Sequence, residues 1–264
     1  MFEIKNVFKT FNEGTVNEKK ALRGVDLHLK EGDFVTVIGG NGAGKSTILN
    51  CVAGVYSIED GQILIDGEDV TRLPEYKRAK YIGRVFQDPM MGTAATMQIE
   101  ENLALAARRG KFRGLAAGIT KAEREDYREQ LKILDLGLEE RLTAKVGLLS
   151  GGQRQALTLL MATLQKPKLL LLDEHTAALD PKTAAKVLEA TQKIVEKDNL
   201  TTLMITHNMR DAIAYGNRLI MMYEGRIVVD VSGEEKKKLT VEQLQNLFSR
   251  ASGSDEANDK LLLS

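Results

Sequence analysis

The sequence predicts an α/β fold around a buried sheet, and three observations lead to that prediction. The apolar run Phe34–Ile38 is short and continuous, which is typical of strands covered on both faces in parallel sheets. A glycine-rich segment, residues 39–44, and a stretch that can form a helix follow it. A second such run, Leu169–Leu172, ends in the acids Asp173 and Glu174. Ligands bind beyond the carboxyl ends of such strands, so these ends mark the predicted functional edge.

The segment after the first run matches the pattern G-x-x-x-x-G-K-[ST], in the strand, loop and helix context that this motif requires. Glycines allow the backbone N–H groups to approach phosphates, and the helix N-terminus favours negative charge. Lys45 would reach the β- and γ-phosphates, and Ser46 would bind Mg²⁺. A chance glycine-rich turn is the alternative, and the flanking pattern argues against it. The predicted nucleotide contacts are Gly39, Gly40, Asn41, Gly42, Ala43, Gly44, Lys45, Ser46 and Thr47.

The acid pair after the second run points to the chemistry of phosphate hydrolysis. Asp173 would hold the Mg²⁺ shell, and Glu174 would polarise the attacking water as a general base. The alternative is a solvated acidic turn. A strand of four leucines argues against it, because such a strand places both acids at the functional edge of the sheet.

The other predicted elements follow from periodicity and turn residues. In the second predicted strand Val25, Leu27 and Leu29 alternate with polar residues, so His28 is predicted to face solvent. Met221 and Met222 are predicted packing residues, and the charge run 234–238 a solvated face. The basic loop 108–114 is likewise predicted to be solvated, in preference to an RNA or lipid site. The predicted strands are residues 2–8, 25–30, 61–67, 201–206, 218–223 and 226–231, and the predicted helices are 99–107, 120–136, a long one beyond Pro181, and 241–248.

A second glycine-bearing motif, Leu149-Ser150-Gly151-Gly152-Gln153, completes a specific set. With it the chain resembles the ATP-binding subunit of an ATP-binding cassette (ABC) transporter, from about residue 2 to about residue 231. The resemblance implies a P-loop NTPase fold with a mixed sheet core, an antiparallel β subdomain and a helical signature subdomain. It places one ATPase domain at residues 1–250, with the helical part at about 90–150. Residues 251–264 are predicted to form a mobile tail.

The resemblance also assigns roles to isolated residues. Gln87 matches the Q-loop residue that touches Mg²⁺ and water and meets the membrane subunit. Asp180 matches the D-loop, and His207 the switch histidine that contacts the γ-phosphate. Phe11 is the candidate for stacking on adenine. The implied catalytic set is Lys45, Gln87, Glu174 and His207, and the implied metal ligands are Ser46, Gln87 and Asp173.

Some positions depart from the usual family pattern. His175 replaces the usual proline, Ala178 the usual serine, and Phe11 the usual tyrosine. The helix after Gln153 is apolar where arginines are usual, which we expect to alter packing rather than catalysis. None of these changes removes a chemical group that the reaction requires.

The implied mechanism needs two copies, because family members hold the signature too far from their own phosphate loop. Ser150, Gly151, Gly152 and Gln153 would therefore contact a partner's ATP. Ser150 is a favourable helix N-cap, and the glycines permit close approach to a γ-phosphate. Two ATP molecules would lie between head-to-tail copies, with a homodimer as the expected pair and a paralogue as the alternative partner.

Composition agrees with this interpretation. The 37 basic and 37 acidic side chains balance, which gives no general electrostatic reason to bind nucleic acid. The single cysteine, Cys51, indicates a reducing compartment and a packing role. No stretch approaches the roughly 20 apolar residues needed to cross a bilayer, and residues 1–5 lack a signal peptide's apolar core. We therefore expect a peripheral protein on the cytoplasmic face of the membrane, with separate permease subunits.

The predicted function is to power transport by ATP hydrolysis. The sequence Asp173-Glu174-His175-Thr176 and the apolar signature helix resemble a bacterial subgroup of amino-acid importers, often for tryptophan or tyrosine. That resemblance implies an extracytoplasmic substrate-binding protein as a further partner. The rival interpretation is a non-transport ABC ATPase that drives assembly of soluble complexes. A subunit of an exporter is a third possibility, since the membrane partner sets direction.

Overall fold

The computed structural model describes residues 1–111 and 118–252. The strands are β1 Phe2–Phe11, β2 Lys19–Leu29, β3 Phe34–Ile38, β4 Asp60–Ile65, β5 Glu68–Asp69, β6 Ile82–Val85, β7 Leu169–Asp173, β8 Thr202–Ile205, β9 Arg218–Tyr223 and β10 Arg226–Ser232. The helices are α1 Lys45–Ala53, α2 Glu75–Arg78, α3 Ile99–Ala107, α4 Lys121–Lys132, α5 Gly151–Thr163, α6 Pro181–Asp198, α7 Met209–Ala214, α8 Gly233–Lys237 and α9 Val241–Ser252.

The chain divides into two compact units, one of residues 1–82 with 201–264 and one of residues 83–200. The predicted single domain at 1–250, with its helical part at about 90–150, remains a prediction. The predicted tail lies outside the described residues from position 253 onward, and so do residues 112–117 of the basic loop. Within the described ranges, no helix is both long enough and apolar enough to cross a membrane.

The first unit contains two kinds of sheet. An antiparallel sheet has the order β2-β1-β4-β5. Four neighbouring strands in the order β10-β9-β3-β8 form a mixed arrangement, in which β3 pairs in parallel with β8 and β9 while β10 is antiparallel to β9. The predicted combination of mixed and antiparallel sheets is confirmed. All five residues of β3 are buried, as a strand covered on both faces requires.

Helix α9 packs its apolar face on β9 and β10 in the first unit. Leu244 and Phe248 are buried against Met221 and Val231, and the rings of Phe248 and Tyr223 meet edge to face at 5.5 Å between centroids. Met221 and Met222 are both fully buried, so their predicted packing role is confirmed. His28 is exposed on β2, as its alternation predicts.

The prediction that the charge run 234–238 is a solvated face is wrong for Lys236. These residues fall in and beside α8, whose turn directs Lys236 inward while its neighbours stay exposed. The buried Nζ donates to the carbonyls of Tyr215 and, at 2.8 Å, Gly216, just beyond the end of α7. Burial lowers the pKa of the Lys236 ammonium to about 8. Lys236 therefore donates to carbonyl groups just beyond the C-terminal end of a helix, where backbone carbonyls need donors.

The second unit places β6 and β7 side by side as hydrogen-bonded neighbours. Helix α5 lies very close to β6, since a Cβ on Gly83 would come within 2.5 Å of the Ala162 carbonyl oxygen. Most apolar residues of α5 are buried, among them Leu157, Leu159 and Leu160. This burial accounts for the apolar sequence of the helix. Helix α3 has the bounds predicted for it, 99–107. Helix α4 ends at Lys132, whereas the prediction extended it to Leu136.

Candidate functional site

The phosphate loop is shaped by close contact with two strands of the first unit. Gly39 has φ +150° and Gly44 has φ +106°, conformations that side-chain-bearing residues rarely adopt. A Cβ on Gly39 would lie 2.3 Å from the Met222 carbonyl oxygen, and one on Gly44 would lie 2.7 Å from that of Ala21. Glycine is thus required at both positions by backbone conformation and by the lack of space.

Lys45 opens α1 directly after this loop. Its side chain is almost fully buried, and its Nζ donates to the carbonyl oxygens of Gly39 at 2.5 Å and Gly40 at 3.3 Å. The ammonium group therefore lies over the loop. Ser46, the next residue, is exposed at the helix N-terminus, where unpaired backbone N–H groups favour an anion.

The opposite end of α1 is held by a buried arginine from α2. Arg78 donates to the carbonyls of Cys51 at 2.7 Å and Val52 at 2.9 Å, and also to Leu73 and Thr71. Burial lowers the pKa of the Arg78 guanidinium and raises that of the buried Cys51 thiol to about 11. Cys51 is therefore held as the neutral thiol, in agreement with its predicted packing role.

His207 leaves the same sheet edge as the phosphate loop. Val37 of β3 pairs in parallel with Ile205 of β8, and the Thr206 N–H donates to the Val37 carbonyl at 3.1 Å. Gly39 and the exposed His207 follow two residues after this pair. The first unit therefore brings Lys45, Ser46 and His207 to one edge, as their positions after neighbouring parallel strands lead us to expect.

Phe11 lies at the end of β1, also in the first unit. Its ring is half-buried and meets the Tyr56 ring edge to face, with centroids 5.2 Å apart. The Lys9 ammonium lies 5.4 Å from its centroid and pairs with Glu59 at 2.7 Å. An aromatic surface is thus present at this position, with a hydroxyl-bearing neighbour that the sequence did not reveal.

The acid pair occupies the carboxyl end of β7 in the second unit. Asp173 is the last residue of the strand, and Glu174 follows with φ +44°, an unusual left-handed conformation for a glutamate. The Glu174 carbonyl accepts from the Ala177 N–H at 2.9 Å, which closes a tight turn. Such backbone outliers concentrate at functional sites. Gln87 is exposed two residues beyond the neighbouring strand β6.

Arg84 of β6 contacts Asp173, the first residue of the acid pair, and the sequence analysis did not single it out. Its Nη2 lies 3.7 Å from Asp173 Oδ2, and its guanidinium lies 4.6 Å from the centre of the Phe86 ring. Both ion-pair side chains are largely buried. A charged residue within the otherwise apolar segment 82–86 was the available signal, because buried charges need partners.

The residue after the acid pair, His175, has a structural environment and not that of a reacting group. His175 is buried, and its Nε2 lies 3.1 Å from the Thr191 hydroxyl on α6. Burial lowers the pKa of the His175 imidazole to about 4, so the ring is neutral at pH 7. His175 is therefore a packing residue that anchors the turn to α6.

The signature segment begins α5 with reciprocal capping. Ser150 Oγ accepts from the Gln153 N–H at 3.3 Å, and Gln153 Oε1 accepts from the Ser150 N–H at 3.2 Å. The predicted N-cap role of Ser150 is confirmed. Ser150 and Gly151 are exposed, so the helix N-terminus is open to an anion on that side.

The D-loop and the signature pack together within the second unit. Asp180 caps α6 by accepting from the Thr183 N–H at 3.1 Å, and hydrogen bonds from Thr183 lower the pKa of its carboxyl. A Cβ on Gly151 would lie 3.5 Å from Leu179, and one on Gly152 only 1.9 Å from Thr183 Cγ2. Gly152 is therefore needed for the close approach of α5 and α6.

The close packing of Gly152 against Thr183 predicts a loss of stability in Gly152→Ala. We expect the variant to lower the thermal unfolding midpoint, because overpacking costs typically about 1–3 kcal/mol. Thr183→Ala removes the Cγ2 in question, and the Thr183 Cβ lies 3.4 Å from the added methyl. The double variant Gly152→Ala/Thr183→Ala should therefore recover most of the lost stability in a double-mutant cycle. Additive losses would show that this contact is not what requires glycine.

The predicted site residues thus fall into two groups. The first unit holds Phe11, the phosphate loop and His207, and the second holds Gln87, the acid pair, the signature and Asp180. Among the described residues, no cluster of three or more His, Cys, Asp or Glu side chains could hold a metal ion by itself. The individual roles assigned to these residues remain predictions.

Comparison with known proteins identifies the family. The family model described as "ABC transporter" matches residues 22–177. The tyrosine transport ATP-binding protein of Clostridioides difficile (strain R20291) is 45% identical over 251 residues, covering 95% of this chain and all of that protein. A phosphonates import ATP-binding protein of Lactobacillus delbrueckii subsp. bulgaricus is 30% identical, covering 97% of this chain and 98% of that one.

A solved structure supports the fold and the activity. The ATP-binding cassette MJ0796, in a dimeric post-hydrolysis state bound to ADP and Pi, is 32% identical with a TM-score of 0.74. The match covers 88% of this chain and 98% of that chain. This match in fold agrees with the presence of the glycine-rich loop, the acid pair and the capped signature helix described above. The chain belongs to the ABC transporter family, in which it is an ATP-binding subunit and an ATPase.

Proposed function

We propose that the chain binds two ATP molecules between head-to-tail copies and powers the import of an amino acid. The observation that carries this proposal is the open N-terminus of α5, where Ser150 and Gly151 are exposed and backbone N–H groups favour a phosphate. The dimeric state of the related cassette MJ0796 supports the pairing. The 45% identity to a tyrosine transport protein supports an aromatic amino acid as the cargo.

In this proposal Phe11 stacks on adenine and the residues from Gly39 to Thr47 surround the phosphates. Lys45 supplies positive charge at the β- and γ-phosphates, where its Nζ is already directed over the loop. Ser150 and its following N–H groups complete the γ-phosphate site of the other copy. When two copies close around ATP, water is excluded from the nucleotide site, apart from the molecule that attacks the γ-phosphate.

The residues assigned to the metal fit Mg²⁺ by their chemistry. Ser46, Gln87 and Asp173 offer a hydroxyl, an amide carbonyl and a carboxylate, the oxygen donors that Mg²⁺ prefers. Few protein ligands are expected, because Mg²⁺ in such sites is bound largely by phosphates and water. When bound, the ion neutralises charge that develops on the phosphate oxygens.

Hydrolysis requires a base, and Glu174 is the residue that we assign. It accepts the proton of the attacking water at its carboxylate, while Gln87 and His207 orient the water and the γ-phosphate. The left-handed backbone at Glu174 supports this assignment, since it fixes where the side chain leaves the strand. Loss of the γ-phosphate removes the charge that bridges the two copies, and they separate.

The partners that we propose are permease subunits, a second copy and an extracytoplasmic substrate-binding protein, at the cytoplasmic face of the membrane. An exposed apolar surface supports permease docking. Met90 and Met91, shortly after Gln87, are 60% and 50% exposed. The flexible methionine side chain suits an adaptable interface. An ATPase for soluble assembly is less favoured, because the relatives reported above are transport and import proteins.

The test is to capture tagged Glu174→Gln protein with ATP from detergent-solubilised native membranes and to identify bound proteins by mass spectrometry. We expect a multispanning permease in stoichiometric amount. Binding of tyrosine, tryptophan and phenylalanine to its companion binding protein, measured by calorimetry, then identifies the cargo. Recovery of soluble partners alone would replace the transport proposal with the assembly ATPase.

A matched pair of variants makes the capture specific. Met91→Glu in the same background should reduce permease recovery, because a charge would have to be desolvated at an apolar contact. Val16→Glu, in the fully exposed turn between β1 and β2, is the control and should have no effect. Equal recovery with both variants would show that the permease docks elsewhere.

A further inference from the structure

Lys19 occupies a position between the two parts of the nucleotide site in the first unit. It opens β2 and pairs with Phe11 at the end of β1. Two residues along the same strand, the Ala21 carbonyl oxygen lies 2.7 Å from where a Cβ on Gly44 would be. The first residues of β2 therefore run from the aromatic platform to the phosphate loop.

The Lys19 side chain reaches that loop directly. Its Nζ lies 3.2 Å from the position that a Cβ on Gly42 would occupy. Lys19 and Gly42 are both exposed, so the ammonium group is accessible. Among the described residues no carboxylate forms an ion pair with Lys19.

Lys45 and Lys19 place their ammonium groups at different parts of the phosphate loop. Lys45 Nζ lies at Gly39 and Gly40, whereas Lys19 Nζ lies near Gly42. Lys19 is also the residue of β2 that pairs with Phe11. Lys45 is assigned to the β- and γ-phosphates. An ammonium on the side of the adenine platform is then nearest to the phosphate that adjoins the ribose.

We propose that Lys19 is a further nucleotide-binding residue, which contacts the α-phosphate of the bound nucleotide. This inference rests on the ATP site proposed above. Because ATP and ADP share the α-phosphate, Lys19 binds both nucleotides to the same extent. Its contribution is electrostatic and lies at the surface, so added salt weakens it.

The test compares Lys19→Ala with Lys20→Ala by calorimetric titration of ADP and of the non-hydrolysable analogue AMP-PNP, both with Mg²⁺. Lys20 is the matched control, because it is the next residue, is also exposed and pairs with Thr10 instead of Phe11. We expect Lys19→Ala to weaken both nucleotides by a similar factor of about 3 to 10, as charge-assisted contacts at a surface typically contribute. Lys19→Arg should keep most of the affinity, and Lys20→Ala all of it.

The outcomes separate this proposal from the assignment of the loop itself. Lys45→Ala is measured in parallel, and it alone tests the phosphate loop. Unchanged affinity in Lys19→Ala, together with weakened binding in Lys45→Ala, would overturn the role of Lys19 and leave the loop in place. A loss confined to AMP-PNP would also overturn the proposal, because it would put Lys19 at the γ-phosphate. The loss in Lys19→Ala should shrink between about 0.05 and 0.5 M salt.

Discussion

Steady-state ATP hydrolysis by Glu174→Gln is expected to fall by roughly 10²- to 10⁴-fold, the range typical of removing a general base. Glutamine keeps the shape of the side chain but cannot accept a proton from water. ATP binding should persist, and since the γ-phosphate stays in place, the two copies should remain closed. Size-exclusion chromatography with ATP should therefore show a dimer that wild type forms only transiently.

A suitable control is Glu224→Gln. Glu224 also has a left-handed backbone, with φ +45°, but it lies in the turn between β9 and β10 and pairs with Arg23 at 3.9 Å. Its variant should hydrolyse ATP at the wild-type rate. If Glu174→Gln did the same, Glu174 would not be the base, and the acid pair would have to be assigned to metal binding alone.

Lys45→Ala should have its largest effect on nucleotide affinity. Hydrogen bonds to charged groups contribute roughly 1.5–3 kcal/mol, so the dissociation constant for ATP should rise by about tenfold or more. Calorimetric titration measures this directly. Lys5→Ala, an exposed lysine on β1 that pairs with Glu3 at 2.7 Å, is the control. An unchanged ATP affinity in Lys45→Ala would argue against the phosphate loop as assigned.

Local sequence signals predicted those parts of the site that form within a few residues. The loop before α1 requires glycine at Gly39 and Gly44, and both positions are visible in the motif. Ser150 and Gln153, which cap the helix reciprocally, lie three positions apart, a pattern that sequence alone carries. Strands of continuous apolar residues, such as β3 and β7, were equally clear.

Long-range contacts account for what the sequence did not reveal. The start of β2 at Lys19 was missed because pairing with β1 shifts register around Val7, where alternation breaks. Lys236 belonged to a run that looked solvated, and only the end of α7 makes its burial favourable. The contact of Gly152 with Thr183 joins residues on two helices. No local pattern encodes such pairings.

At Glu174 stability and the proposed activity favour different residues. The left-handed backbone is better suited to glycine, whereas the proposed general base needs the carboxylate. An L-residue in that conformation is disfavoured by roughly 1–2 kcal/mol, and glycine is not. Screening variants of this protein for heat resistance alone would therefore favour losing the glutamate. Any search for a more robust form must select for ATP turnover at the same time, because one position where glycine would relieve the backbone carries the residue that we propose as the general base.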